Sequence, residues 1–314
     1  MMGLLVLSLA FYGSLANRRP PLPQNATVPL LESARNDPLM FLAGQMGVGS
    51  LAVQHQIVEK EAFNKLINGM IRDLRDTVAG VDLLPFQDLA VSLPIADRLA
   101  HLSDGLGDTE KYFVAEDAIR RIGKRYVIYA AGIAGHPGFE NQMAGLGATV
   151  VAFDCTDEKK DTYHFDFHPW CIGTPHSFEG SLYAAGKDSG QQFYSLQQIK
   201  KKLGHPSVQM LKMDIEGSEW ELLQKEIVDA DEGSLPEQLL FELHTEGANP
   251  QVVPPSIVHG KRRQAVNRLV FDLWTQGYRL VHIELNNADP LCAEMVFFRL
   301  SSPHHQTTPK AKIM

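Results

Sequence analysis

Cysteine is scarce in this chain of 314 residues: there are three, Cys155, Cys171 and Cys292, with no C-x-x-C pair and no zinc-ligand spacing. At most one disulfide can form and one thiol is left over, which excludes a disulfide-stapled scaffold. A basic surplus is missing too. Twenty-nine Lys and Arg stand against 37 Asp and Glu, a formal net charge of −8. Nucleic acid is therefore not an expected partner, because binding it needs a basic face. The cluster Lys261, Arg262, Arg263 reads as a solvated helix entrance. What is there is enough apolar residue, 44% of the chain, to bury one large domain with an extension.

The N-terminus has no uncharged span long enough for an ordinary membrane-crossing helix of about 20 residues. Gly3 to Ala16 is apolar, and Asn17, Arg18, Arg19 and prolines follow. With small residues at Ser14 and Ala16 this fits a secretory signal, although no Lys or Arg precedes it. A membrane anchor through residues 3–16 and a short buried helix are the other readings. The expected localisation is the secretory pathway, in the Golgi lumen or secreted, or cytoplasmic if the run is not a signal. The expected organisation is a signal or anchor over 1–16, a proline-rich linker over 17–50, a helical extension over 51–104, the main domain over 105–301 and a tail over 302–314. Val58, Ala62, Leu66, Met70 and Leu74 carry the extension's four-residue period.

From Gly105 onward strands alternate with helices, the pattern of a mostly parallel sheet covered on both faces. Tyr126 to Ala131 predicts a buried strand; Gly132, Gly135 and Gly138 then space a turn before a helix with Phe139, Met143 and Leu146 on one face. Thr149 to Phe153 predicts the next strand, ending in Asp154, about where nucleoside-binding α/β folds place an acid for ribose hydroxyls.

The stretch LKMDIEGSEWELL predicts a strand over Val208–Met213, a loop of Asp214 to Gly217, and a helix capped by Ser218 with Glu221 and buried through Trp220, Leu223 and Ile227. In QLLFELHTEG, Leu239 to Leu243 reads as strand, with Glu242, His244 and Glu246 at or beyond its end. Acids at two successive strand ends suit ligand contact, since open α/β sheets bind at that edge; capping the helix is the structural alternative for Asp214 and Glu216. Tyr278–Leu285 and Ala293–Leu300 close the chain as two strands joined too tightly for a helical crossover, so they should be antiparallel.

The segments LGDTEKYFVAEDA, YAAGIAGHPGFENQM, VAFDCT, FYSLQQIKKKLGHPSVQMLKMDIEGSEWELL, LLFELH, GYRLVHIELN and AEMVFF resemble the FkbM-type methyltransferases, and within them the methyltransferase-like protein 24 group. The resemblance implies an α/β architecture: a Rossmann-like class I methyltransferase fold whose mostly parallel seven-stranded sheet ends in an antiparallel pair, with an N-terminal helical extension. It also implies S-adenosylmethionine as methyl donor. Carried over residue by residue, Gly132 and Gly135 would line the donor's amino-acid end, Asp154 would hold its ribose, and Asp214 and Glu216 would sit beside the transferred methyl. An acid common two positions before the first glycine is replaced by Ala130, which would pass recognition of the donor's ammonium to another group such as Asp108.

The catalytic expectation is that His244 or Asp214 takes a proton from an acceptor hydroxyl, with Glu242 orienting the histidine. A divalent metal held by Asp214, Glu242 and His244 is a variant of it. The leading function is O-methylation of a small-molecule or glycan acceptor. A nicotinamide-dependent oxidoreductase and a catalytically silent binding protein are the alternatives. Acceptor specificity would lie in the connections Trp170–Gly190 and Gly247–Gly260.

Overall fold

A computed structural model describes residues 61, 63–70, 72, 84–86, 89, 91, 99–102, 111–114, 126–157, 160–173, 191–230 and 235–300. The expected signal, linker and tail, Asp108 and most of the helical extension lie outside the described residues. Within the extension, residues 63–70 are helical. Leu66 is buried, and the Phe63 ring packs 6.2 Å from Phe271 and 5.8 Å from Trp274.

The extension is not all helix. Strand β1 (Leu99–Leu102) falls inside its expected bounds and pairs antiparallel with β2 (Lys111–Val114), Leu102 opposite Lys111. Neither strand extends the main sheet by a backbone ladder. Instead the Gln238 side chain accepts from Val114 N–H and donates to Val114 O, replacing a ladder contact with an amide pair.

The main sheet holds seven strands: β3 (Val127–Ala131), β4 (Thr149–Phe153), β5 (Asp166–His168), β8 (Met210–Met213), β9 (Gln238–His244), β10 (Tyr278–Leu285) and β11 (Cys292–Arg299). Their spatial order is β10-β11-β9-β8-β3-β4-β5. All neighbouring pairs are parallel except β9–β11 and β10–β11. Buried on both faces, β3, β8 and β9 read as near-continuous apolar runs because helices cover a parallel sheet on both sides. A separate two-stranded sheet, β6 (Trp170–Ile172) with β7 (Gln192–Tyr194), follows β5.

Helices α1 (Gly138–Gly145), α2 (Leu196–Leu203), α3 (Glu219–Leu222), α4 (Pro255–Val258) and α5 (Arg263–Thr275) fill the connections, and α3 runs on into a π-helical turn over Leu223–Val228. On α1 Phe139 and Met143 are buried as expected, whereas Leu146 falls after the last turn and is exposed. A capping box occurs at Ser195 and Gln198, at the start of α2. The one expected at Ser218 and Glu221 is absent: Ser218 caps nothing through its side chain. Glu219 takes over, its two carboxylate oxygens accepting from Ile215 N at 2.7 Å and Gly217 N at 2.9 Å.

Strand order reverses beside β3, which has β4 on one side and β8 on the other. The connections after β3 and β8 leave in opposite directions and open a crevice at the carboxyl ends of these strands, the place where open α/β sheets bind ligands.

Candidate active site

The crevice is a pocket lined from β3 by Ala131 and Gly132, from β4 by Phe153 and Asp154, from β6 by Trp170 to Ile172, and from the β8 loop by Asp214, Ile215 and Glu216. Among the described residues sixteen line it, including four carboxylates, Asp154, Asp157, Asp214 and Glu216, and no basic side chain. Among the described residues Ala134 (φ 48°) and Glu216 (φ 54°) are the non-glycines in the left-handed region, and both line this pocket. Such conformations cost about 1–3 kcal/mol each and persist where surrounding structure imposes them.

Gly132 is dictated by close approach. At φ 75° a Cβ there would lie 1.7 Å from the Asp214 carbonyl oxygen, so β3 and β8 could not close together at their ends. Gly135, also left-handed, is not among the lining residues; its missing Cβ faces the Lys160 ammonium.

Asp154 lines the pocket and organises the glycine loop. Its Oδ2 accepts from Ile133 N (2.9 Å) and Ala134 N (3.0 Å), and its Oδ1 from Thr156 N (2.9 Å) and Thr156 Oγ1 (2.6 Å). A carboxylate offers about four acceptor positions, so a ribose hydroxyl would have to replace one of these donors. Gly132 N donates to Phe153 O. The amides of residues 132–134 are therefore all spent inside the protein and not aimed at a ligand.

Behind the pocket lies a dense cluster of charge. Asp214, half-buried at the end of β8, is 3.7 Å from the Lys111 ammonium. Lys111, buried in β2, also ion-pairs with Glu294 of β11. Burial opposes ionisation of Asp214, but Lys111, then Lys212 and His244, overcome it and hold the carboxyl below its usual range. Burial and the ionised Asp214 push the neighbouring Glu242 up to about 8. Glu242 Oε1 accepts from Asn286 at 2.9 Å. Lys212 donates to Gly132 O at 2.5 Å and stands 3.4 Å from the buried Glu140.

His244, buried at the end of β9, is enclosed by acids: Nδ1 is 3.4 Å from Glu219 Oε1, and Nε2 is 3.3 Å from Glu216 and 3.6 Å from Glu242. Burial alone would lower its pKa; Glu219 first, then Glu242 and Asp214, outweigh that and raise it to about 10. At neutral pH His244 is thus an imidazolium with no lone pair for a proton. The expected roles exchange: the histidine is a fixed cation, and Glu242, expected to orient it, is the group poised to titrate near neutrality.

Side-chain sets within ligating reach of one point are Glu242–His244–Cys292, Asp214–Glu219–His244 and Asp214–Glu242–Glu294. Protein cations already stand among them, the His244 imidazolium in the first two and the Lys111 ammonium beside Glu294 and Asp214 in the third. The chain itself supplies the positive charge that a metal would bring.

The structure thus brings Asp214, Glu216, Glu242 and His244 together, with Gly132 packed against the Asp214 backbone and Asp154 also lining the pocket. Sequence reasoning missed Lys111, Glu219 and Glu294. Glu219 was visible as the first acid after Gly217. Lys111 and Glu294 carried no signal, because only tertiary folding brings β2 and β11 to this strand edge.

Seven strands in this order, with one reversed strand inserted next to the edge and the crevice beside the central strand, define the Rossmann-like class I methyltransferase fold. A family model described as a methyltransferase domain matches residues 96–299, and the chain belongs to that methyltransferase-domain family. No curated protein matches significantly. Solved structures similar to this chain include an S-adenosylmethionine-dependent methyltransferase from Aquifex aeolicus (13% identity, 60% of this chain and 90% of that one, TM-score 0.28). The fibrillarin pre-rRNA processing protein of Methanococcus jannaschii is another (12%, 67% and 86%, TM-score 0.32). A third is the bifunctional kinase-methyltransferase WbdD (14% identity, TM-score 0.30), where the match covers 57% of this chain and only 36% of that one. At such TM-scores none of them bears on activity, and the fold rests on strand order.

Proposed function

We propose that the protein is an S-adenosylmethionine-dependent O-methyltransferase of the FkbM type, within the methyltransferase-like protein 24 group, acting on a small-molecule or glycan hydroxyl. The observation that carries this reading is the charge of the pocket: among its described lining residues there are four carboxylates and no basic side chain. S-adenosylmethionine presents a sulfonium and an ammonium against one carboxylate, so an acidic wall suits it. A dinucleotide brings a pyrophosphate, which needs free loop amides or cations; here the amides of Ile133 and Ala134 already serve Asp154. The oxidoreductase reading therefore falls behind.

When bound, S-adenosylmethionine would supply an electrophilic methyl whose C–S bonding pair stays with sulfur as a neutral thioether. Asp214 and Glu216 are the wall residues suited to face positive charge. The Asp214 and Glu242 carboxylates stand within 4.8 Å of one another, and Lys111 and His244 stabilise the ionised form of Asp214. Glu242, reached through Asp214, is the proposed final acceptor of the acceptor hydroxyl's proton, because its pKa near 8 matches that task. The reading extends to an oxidising, secretory compartment. It is supported by the Cys155–Cys171 disulfide, since such bridges persist outside reducing cytosol.

Calorimetric titration of the full chain with S-adenosylmethionine, its demethylated product and NAD tests the reading. Saturable binding of the first two, with Asp214→Asn weakening the sulfonium form more than the neutral product, is the expected result. Preference for NAD would overturn it, and a folded protein that binds none of the three would be a silent binding module.

A further inference from the structure

The pocket wall has a covalent component that the methyltransferase reading does not use. Cys155 follows Asp154 directly, and Cys171 sits in β6; the two form a disulfide with Cα atoms 4.9 Å apart. β4 belongs to the seven-stranded sheet and β6 to the separate two-stranded one, so the bridge ties two sheets with no shared backbone ladder. Half of the sixteen pocket-lining residues are these cysteines or lie within two positions of them. β6 also follows β5, which is laddered onto β4, through the single residue Pro169. Among the described residues the ties between the β6–β7 pair and the end of β4 further include Gln191 donating to Cys155 O at 3.5 Å and the Phe153 and Trp170 rings stacking at 6.1 Å.

We propose that the Cys155–Cys171 bridge is a redox-sensitive latch that holds the β6 wall of the pocket against the β4 loop, so that ligand affinity depends on its oxidation state. The chemistry balances with a small dithiol as reductant. Its thiolate attacks the sulfur of Cys155, the less buried cysteine, forming a mixed disulfide and releasing Cys171 as thiolate, which takes a proton. The reductant's second thiol then closes on the first, releasing Cys155 as the other free thiol and leaving the reductant oxidised by two electrons. Cys292 stays outside this exchange: it is buried in β11, and burial pushes its thiol away from the reactive thiolate. Asp154 is the residue through which the latch acts on the glycine loop, since it is bonded to Cys155 and holds the amides of Ile133 and Ala134.

The first experiment is hydrogen exchange on the ligand-free full chain, oxidised and dithiol-reduced, with alkylation counting one free thiol before and three after. The expected result is loss of protection by tenfold or more in 153–157 and 170–172, with β9 and β11 unchanged; equal exchange in the two states overturns the latch. Cys155→Ser with Cys171→Ser should reproduce the reduced pattern without reductant, and a failure to do so also overturns it. Titration with S-adenosylmethionine is the second arm, and rests on the proposed donor. Affinity weakened by tenfold or more on reduction supports the coupling, and equal affinity overturns it. If neither state binds while exchange still responds at 153–157 and 170–172, the donor assignment fails and the structural latch stands.

Discussion

The ends of β4 and β9 make an instructive pair, because each places an acid at the same edge of one sheet. At the end of β4 Asp154 meets four neutral donors, two from the glycine loop after β3 and two from Thr156 of its own loop. At the end of β9 Glu242 meets other carboxylates, one amide and a few buried cations. A carboxylate saturated by neutral donors is a structural strut. One crowded by like charge in a buried place holds its proton to higher pH and becomes a group that can exchange it. Position in the fold puts Asp154 in the pocket wall and Glu242 behind it, and their neighbours differ in kind.

The substitution that should break this comparison outright is Gly132→Ala. A Cβ there collides with the Asp214 carbonyl and forces a left-handed residue, so the two strand ends can no longer approach. We expect loss of more than about 4 kcal/mol, in the range of exceptional single mutants, read as loss of soluble folded protein or of its denaturation midpoint.

Next in size is His244→Gln, which removes a buried cation from among Glu219, Glu216 and Glu242. Breaking a buried pair on one side costs about 3–5 kcal/mol. The sign of its pH dependence follows from a folded pKa of about 10 against an unfolded 6.5. The histidine stabilises fully below about 6.5, and that contribution is lost as pH rises toward 10. Glu242, raised from 4.5 to about 8, adds the same sign over its own window. Thermal unfolding of the native chain should therefore weaken from pH 6.5 to 10, and the Gln variant should lose most of that slope; a native curve that strengthens over this range would contradict the charged cluster.

Glu242→Gln sharpens the comparison from the other side. Once an acceptor is in hand, methyl transfer should fall by about 10²–10⁴-fold, the usual contribution of a general base. In the native enzyme the rate should climb with pH, half-maximal near 8, and level off above it. A plateau already reached at pH 6 would remove Glu242 from that role.

The smallest expected effect is at Asp154→Asn. One amide oxygen cannot replace both carboxylate oxygens, and the lost bonds should cost about 1–3 kcal/mol. The pH profile of methyl transfer should keep its shape, since the proton acceptor is elsewhere; a shifted profile would merge the two acids into one functional unit.

Much of this was readable in order along the chain. β4 and β10 fall where the sequence patterns place them; for β4 the reason is that a strand buried on both faces needs a near-continuous apolar run. The antiparallel closing pair followed from the shortness of its connection. Glycine at 132 was visible as a turn, but its real cause, the Asp214 carbonyl pressing from another strand, was not. The cap at Ser218 failed because Ser218 itself sits in helical geometry (φ −72°, ψ −9°), while Glu219, one position on, reaches back to two loop amides. Local spacing cannot choose between two acceptors one residue apart.

Residue types and periodicity by themselves determined the layered sheet, its edge, and the acids standing there, since burial pattern and connection length are properties of the chain. Only the tertiary structure decided what those acids do. Lys111 and Glu294 come to Asp214, Glu242 and His244 from distant elements, Glu219 from the adjoining helix, and electrostatic character depends on distance and burial among neighbours, which sequence separation does not encode.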